Sequence, residues 1–223
     1  MVRLQGAEES GVEAKQVKVK TLALSVAAVA LVEAGLFFSR GAFNPMLRLG
    51  AARLLQLGLV VWMVHAVGGG VASIGLDRGQ WLAGLRRGLL WSAGFGALSG
   101  IALGALFMAG LNPLTFIRTV LPKNSPDLFF FFLVGGIVAP AAEEVLFRGI
   151  LYGFLRRWGC GVALALSAAA FALPHGLGHG FPLVQVTGGF LFAVAYEIEK
   201  NLLVPITVHC LGNLAIFSLS LIG

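Results

Sequence analysis

The amino-acid sequence predicts an all-α fold, a polytopic membrane bundle of about seven transmembrane helices. Hydrophobic residues make up 58% of the 223 positions, charged residues only 12%, and the mean hydropathy is +0.90. Soluble domains carry about 25% charged residues, so this chain cannot cover its surface with polar groups. The hydrophobic residues also fall into seven runs. Most of these runs are close to the ~20 residues that a membrane-spanning helix needs.

We predict the seven runs, in chain order, at 21–38, 54–76, 89–110, 128–149, 161–179, 182–198 and 202–222. Residues 1–20 are polar, and we predict a solvated cytoplasmic tail there, followed by a transmembrane domain over 21–223. A secretory signal peptide is the alternative for the N-terminal region, because a basic flank precedes an apolar core. The length of that core, and Glu33 within it, favour a transmembrane helix.

The segment 77–87 has basic ends with apolar residues between them. Such an amphipathic pattern is typical of a segment that lies along the membrane surface. We therefore predict that this segment lies in the interface, ahead of the third transmembrane helix.

The lysines and arginines predict the orientation of the bundle. With the N-terminus in the cytoplasm, ten basic residues lie on the cytoplasmic side and five lie outside, Arg148 within the fourth run being left out of the count. Cytoplasmic loops carry the excess of basic residues, so this orientation is favoured and the C-terminus is predicted outside. The predicted location is a bacterial inner membrane. The net charge of +6 then follows from topology and anionic lipids, and no nucleic-acid partner is required.

Three charged residues, Glu143, Glu144 and Arg148, stand inside the fourth apolar run. A charge at the centre of a membrane helix costs about 2.5–3.5 kcal/mol on insertion scales, so such residues are rare unless they line a polar cavity. Glu144 and Arg148 are four residues apart and share one helix face. The structural alternative for this pair is a buried ion pair that takes no part in chemistry.

Three further polar residues lie in the last apolar runs. His175 is near the end of the fifth run, and His209 and Asn213 are four residues apart in the seventh. At a rise of ~1.5 Å per residue, Glu143 and His175 lie roughly 20 Å from the cytoplasmic ends of their antiparallel helices. We expect all these groups to open into one cavity that is reached from the cytoplasmic side. Hydrogen bonding between helices is the structural alternative for the histidines and the asparagine.

These residue types suit hydrolysis of a peptide or acyl bond. A carboxylate beside a histidine can take a proton from water as a general base and pass it to a leaving amine. A second histidine and an amide can donate hydrogen bonds to the developing oxyanion. A transporter is an alternative, because intramembrane carboxylates also mark ion paths, but the runs show no inverted halves.

The motifs Glu143-Glu144-x-x-x-Arg148-Gly149, Phe171-x-x-x-His175 and His209-x-x-x-Asn213 follow one another in this order. They resemble the three motifs of the CPBP family of intramembrane proteases, which is also called the Abi or CAAX-protease family and includes the eukaryotic Ras-converting enzyme. The resemblance covers about residues 128–217, and one motif alone would be much less specific than the three together.

The resemblance implies roles for four polar residues. Glu143 and His175 would position the attacking water, and His209 with Asn213 would form the oxyanion site. The implied substrate is a membrane-associated protein or peptide. A non-catalytic scaffold for bacteriocin immunity or protein sorting is the alternative function.

The same resemblance implies supporting roles for other residues. Glu144 and Arg148 would hold the first motif in place, Phe171 would pack against the site, and Pro140 would help to bend the helix that carries the glutamates.

The resemblance leaves the cofactor open, because the family has been described both as metalloproteases and as glutamate-dependent proteases. Zinc could be bound by Glu143, His175 and His209, since histidine nitrogens and carboxylates are its usual ligands. The sequence contains no H-E-x-x-H motif, and Cys160 and Cys210 form no paired metal motif. We therefore favour a metal-free mechanism and expect no cofactor.

Overall fold

The computed structural model describes residues 17–39, 44–176 and 182–222. Within these ranges the long elements are all helices and there is no strand, which confirms the all-α fold. The seven long helices are α1 Val19–Phe38, α2 Pro45–Val67, α3 Trp81–Met108, α4 Ser125–Trp158, α5 Cys160–Gly176, α6 Leu183–Glu199 and α7 Leu203–Ile222.

Five of these helices, α1, α2, α3, α4 and α7, are long and apolar enough to cross a membrane. The other two, α5 and α6, have 17 residues each, which is at the short end of the range for a spanning helix. The chain is therefore an integral membrane protein built as a helical bundle. The predicted tail over 1–20 lies almost wholly outside the described residues.

The second helix begins nine residues earlier than the run at 54–76 predicts, because a capping signal precedes that run. The side chain of Asn44 accepts hydrogen bonds from the backbone N–H groups of Met46 and Leu47, and Pro45 occupies the first turn. Asparagine at the N-cap and proline in the first turn both favour helix initiation. The helix ends at Val67, ahead of three consecutive glycines, rather than continuing to residue 76.

The prediction of a separate surface segment at 77–87 is wrong. A short 3₁₀ turn at Arg78–Gln80 leads directly into α3, so residues 81–87 form its first two turns. The side chain of Asp77 accepts a hydrogen bond from the backbone N–H of Gly79 and starts this turn. The turn capped by Asp77 thus continues into α3 without a break.

Helix α4 carries the two glutamates and is interrupted twice by π-helical turns. These turns lie at Val134–Val138 and Val145–Tyr152, on either side of the α-helical segment Ala139–Glu144. Pro140 comes directly after the first π turn and has no N–H to continue the α-helical hydrogen bonds. π turns in helices often occur at functional sites, and here they flank the segment with the two glutamates while the second turn contains Arg148.

Helix α4 is also the central element of the bundle, because it contacts α1, α2, α5, α6 and α7. Helix α3 packs mainly on α7, where small residues let the backbones come close. A Cβ added to Gly88 of α3 would lie 2.6 Å from the Cβ of Thr207. The central position of α4 brings its charged motif next to the helices that carry the other two motifs.

Candidate active site

Glu144 and Arg148 form a fully buried ion pair on α4. Nη1 of Arg148 donates to Oε1 of Glu144 at 3.0 Å, and both side chains are 0% exposed. Nη2 of Arg148 donates to the backbone carbonyl of Gly189 on α6 at 2.9 Å. Burying two charges is costly unless they are paired and hydrogen-bonded. The pair therefore joins α4 to α6, and the loss of either partner should lower the stability of the fold.

His209 of α7 completes this arrangement by approaching both glutamates. Its Nδ1 lies 2.8 Å from Oε1 of Glu144, and its Nε2 lies 3.8 Å from Oε2 of Glu143. A carboxylate that already accepts from Arg148 is an acceptor here too, so Nδ1 of His209 carries the hydrogen. Glu144 thus fixes the tautomer and the orientation of the imidazole, with Nε2 directed towards Glu143.

The two adjacent glutamates differ in their access to water. The side chain of Glu143 is 19% exposed, whereas that of Glu144 is 0% exposed. A general base has to reach a water molecule, and a carboxylate that only supports its neighbours does not. Exposure therefore distinguishes the two carboxylates, because Glu143 can meet water and Glu144 cannot.

Two aromatic rings enclose His209 and Arg148. The ring of Phe192 on α6 stacks on the imidazole of His209, with centroids 4.5 Å apart and planes at 21°. Phe171 of α5 meets the same imidazole edge-on at 5.5 Å, and the guanidinium of Arg148 lies 4.7 Å from the centre of the Phe171 ring. Phe192 and Phe171 are both buried. The rings hold the imidazole in one plane and keep the ion pair dry.

Phe192 is a site residue that sequence reasoning missed. It lies in the apolar run of α6, outside the three motifs, and one phenylalanine among many apolar neighbours carries no signal of its own. Phe171, expected to pack against the site, does so through contacts with His209, Arg148 and Phe192.

His175 lies in the last turn of α5 and is less closely integrated than the other candidates. Its Nδ1 is 2.9 Å from the backbone carbonyl of Phe171, and the two rings are 5.2 Å apart. In the part of the chain that the structure describes, no hydrogen bond or ion pair joins His175 to Glu143. The ring of Phe171 contacts both His175 and His209.

Asn213 lies one turn beyond His209 and also faces α4. Its Nδ2 donates to the backbone carbonyl of Gly135 at 2.9 Å, and Gly135 belongs to the first π turn of α4. A side-chain amide has two N–H donors, so one remains for another acceptor. His209 and Asn213 therefore contact the same helix at two points on either side of Pro140.

The three residues of the alternative zinc site, Glu143, His175 and His209, do not come together around one point. Glu143 and His209 are close, but His175 is directed towards its own helix. Among the described residues, no three His, Cys, Asp or Glu side chains are grouped so that they could hold a metal ion. Cys210, the sequence neighbour of His209, lies with its sulfur 3.8 Å from the carbonyl of Ile137.

Sequence comparisons agree with the motifs. Residues 125–215 match the model of a family described as Type II CAAX prenyl endopeptidase Rce1-like. The Membrane-embedded CAAX protease MroQ of Staphylococcus aureus (strain USA300) is 32% identical over 112 residues, which cover 46% of this chain and 43% of that protein. The Putative membrane peptidase YdiL of Bacillus subtilis (strain 168) is 35% identical over 83 residues, covering 36% of this chain and 33% of that protein.

The chain thus spans less than half the length of either relative. No solved structure matches it. The resemblance that the three motifs indicate is confirmed over the segment that contains all of them.

Proposed function

We propose that this chain is an intramembrane endopeptidase whose attacking water is activated by Glu143. The match of residues 125–215 to the Rce1-like family model supports this proposal. The observation that carries the proposal is the contrast between the two glutamates. Glu143 is accessible to water and lies close to His209, whereas Glu144 is fully buried in an ion pair with Arg148. An ion pair that served packing alone would not require a second, accessible carboxylate 3.8 Å from an oriented imidazole.

The first step is attack of water on the peptide carbonyl. Glu143 takes a proton from the water as general base while the water oxygen bonds to the carbonyl carbon. Glu143 then delivers this proton to the amine as the carbon–nitrogen bond breaks. His175 is proposed as the partner of Glu143 in this transfer. Catalytic hydrogen bonds are often long without substrate and shorten when it binds, so the unliganded position of His175 is compatible with that role.

Stabilisation of the oxyanion is assigned to His209 and Asn213. With Nδ1 of His209 held by Glu144, only Nε2 can donate to substrate, and it does so as the imidazolium. The second N–H of Asn213 supplies the other donor. Donors fixed in place before reaction act strongly where water is excluded.

The proposed substrate is a membrane-associated protein or peptide, with no metal cofactor. The name of the family contains the terms CAAX and prenyl, so a peptide ending in a CAAX sequence is the first probe. Farnesylated and unmodified versions of the same peptide, presented to the purified protein in liposomes, would show whether a prenyl group is recognised. Cleavage of either by the parent chain, and of neither by Glu143→Gln, supports the proposal. Equal cleavage by Glu143→Gln overturns it.

The proposed location is the inner membrane of a bacterium, with the N-terminus in the cytoplasm. The distribution of lysine and arginine supports this orientation. It places the last helix so that its C-terminal end faces outward. A reporter enzyme that is active only outside the cytoplasm, fused after residue 223, should therefore be active.

A further inference from the structure

A long groove separates α1 and α2 on the outside of the bundle. It has a volume of about 720 Å³ and is lined by residues between Leu24 and Ser39 of α1 and between Arg48 and Met63 of α2. Apolar side chains form nearly all of its walls, and small residues such as Ala28 and Ala52 form its floor. None of the residues of the candidate active site lines it. The groove has the shape and polarity to hold an alkyl chain that lies along the helices.

Arg48 stands at one end of this groove with unused binding capacity. Its Nη2 donates to the backbone carbonyl of Leu36 at 2.9 Å. Its Nε is buried and has no hydrogen-bond partner. No carboxylate of the described residues lies within ion-pair distance of the Arg48 guanidinium. Arg48 lies in the first turn of α2, beside the end of α1, so it is at the boundary of the membrane.

The neighbouring acid does not neutralise Arg48. Glu33 and Arg48 line a second cavity of about 470 Å³ next to the groove. The carboxylate of Glu33, however, accepts hydrogen bonds from Arg53 and Gln56. Within the described residues, Arg48, Arg53 and Glu33 together therefore carry one net positive charge at this end of the groove. A positive charge at the end of a membrane helix attracts anionic lipid headgroups.

We propose that the α1–α2 groove is a binding site for an anionic phospholipid, with the phosphate at Arg48 and one acyl chain along the groove. The phosphate oxygens would accept a charge-assisted hydrogen bond from Nη1 of Arg48, which is not among the buried atoms and has no hydrogen-bond partner in the described residues. Anionic headgroups are attracted by basic residues close to the membrane surface, whereas a zwitterionic lipid offers the same chain without the net charge. This site is separate from the proposed proteolytic function.

Two pairs of matched variants test the two halves of the site. Gly35 lines the groove, and a Cβ added there meets no atom within 4 Å, so Gly35→Leu should fill the groove without a clash. Gly58 of α2 has equally open surroundings but does not line the groove, which makes Gly58→Leu the control. Arg48→Gln removes the headgroup contact. Arg86→Gln, at an exposed position on α3, removes one charge elsewhere.

Native mass spectrometry of the purified chain in detergent would compare phosphatidylglycerol with phosphatidylcholine of identical chains. The parent chain should bind one phosphatidylglycerol about fivefold more tightly than phosphatidylcholine, the effect of about one basic residue at the surface. Arg48→Gln should abolish the preference for phosphatidylglycerol, and Gly35→Leu should weaken the binding of both lipids. Arg86→Gln and Gly58→Leu should behave like the parent.

Thermal unfolding of each variant confirms that it is folded before lipids are compared. Equal binding of the two lipids by the parent chain would overturn the proposal. So would a loss of preference in Arg86→Gln as large as in Arg48→Gln, or equal effects of the two leucine substitutions.

Discussion

The two adjacent glutamates should respond in opposite ways to the same isosteric substitution. Glu144→Gln keeps the shape of the side chain but leaves Arg148 charged, at 0% exposure, without a counter-charge. Breaking a buried ion pair from one side costs about 3–5 kcal/mol. Glu143→Gln alters a side chain that is 19% exposed and has no hydrogen-bonded cation. It should leave stability nearly unchanged while lowering turnover by about 10²–10⁴-fold, as expected for loss of a general base.

Thermal unfolding in detergent and cleavage of a CAAX peptide, measured on the same preparations, separate the two effects. The double variant Glu144→Gln with Arg148→Gln is the matched control, because it removes both buried charges and should recover part of the lost stability. The reasoning would be refuted by a Glu144→Gln protein as stable as the parent. It would also be refuted if Glu143→Gln unfolded early and its folded fraction cleaved at the parent rate.

Three further predictions concern the residues around this pair. Asn213→Ala removes a proposed oxyanion donor, so it should lower the rate of the chemical step by about 10²–10³-fold with nearly normal substrate binding. The lost hydrogen bond to α4 should cost only about 0.6 kcal/mol of stability. Cleavage at the full rate by the folded fraction would show that Asn213 is not part of the site. Phe192→Leu should lower kcat about two- to tenfold because it releases the stacked imidazole, and an aromatic contact is worth about 0.5–1.5 kcal/mol; Phe192→Tyr should retain the rate. Phe154→Leu is the control, because Phe154 contacts Trp158 and Arg157 but not His209. An equal loss of kcat in Phe154→Leu would contradict the positioning role of Phe192. Peptide cleavage should survive prolonged treatment with a strong chelator, and elemental analysis should find less than one zinc per chain. A loss of cleavage that only added zinc restores would favour metal ligation by Glu143 and His209.

The buried Glu144–Arg148 ion pair and the solvent-accessible Glu143 together explain how an apolar bundle accommodates three charged residues. Arg148 compensates Glu144, and the carbonyl of Gly189 takes one of its remaining donors. The aromatic rings of Phe171 and Phe192 fill the space that water would otherwise occupy. The other carboxylate of the motif, Glu143, lies outside this enclosure and can reach water.

The composition and the apolar runs were sufficient to predict the membrane bundle, because the length and polarity of a spanning helix are properties of the local sequence. The same holds for the pairing of Glu144 with Arg148, since residues four apart on a helix meet without help from the rest of the fold. Helix starts were predicted less well: Asn44 and Asp77 initiate helices through side-chain caps, which hydropathy does not register.

Contacts between helices that are distant in sequence were decided only by the tertiary structure. Sequence spacing pairs Glu144 with Arg148 but does not show which of the two glutamates is accessible to water. The packing of α4 against α6 and α7 seals one of them with Arg148 and leaves the other accessible. The stacking of Phe192 on His209, and the groove that ends at Arg48, likewise depend on which helices are neighbours. Burial and hydrogen-bond partners arise from that packing, and a linear pattern of residue types does not contain it.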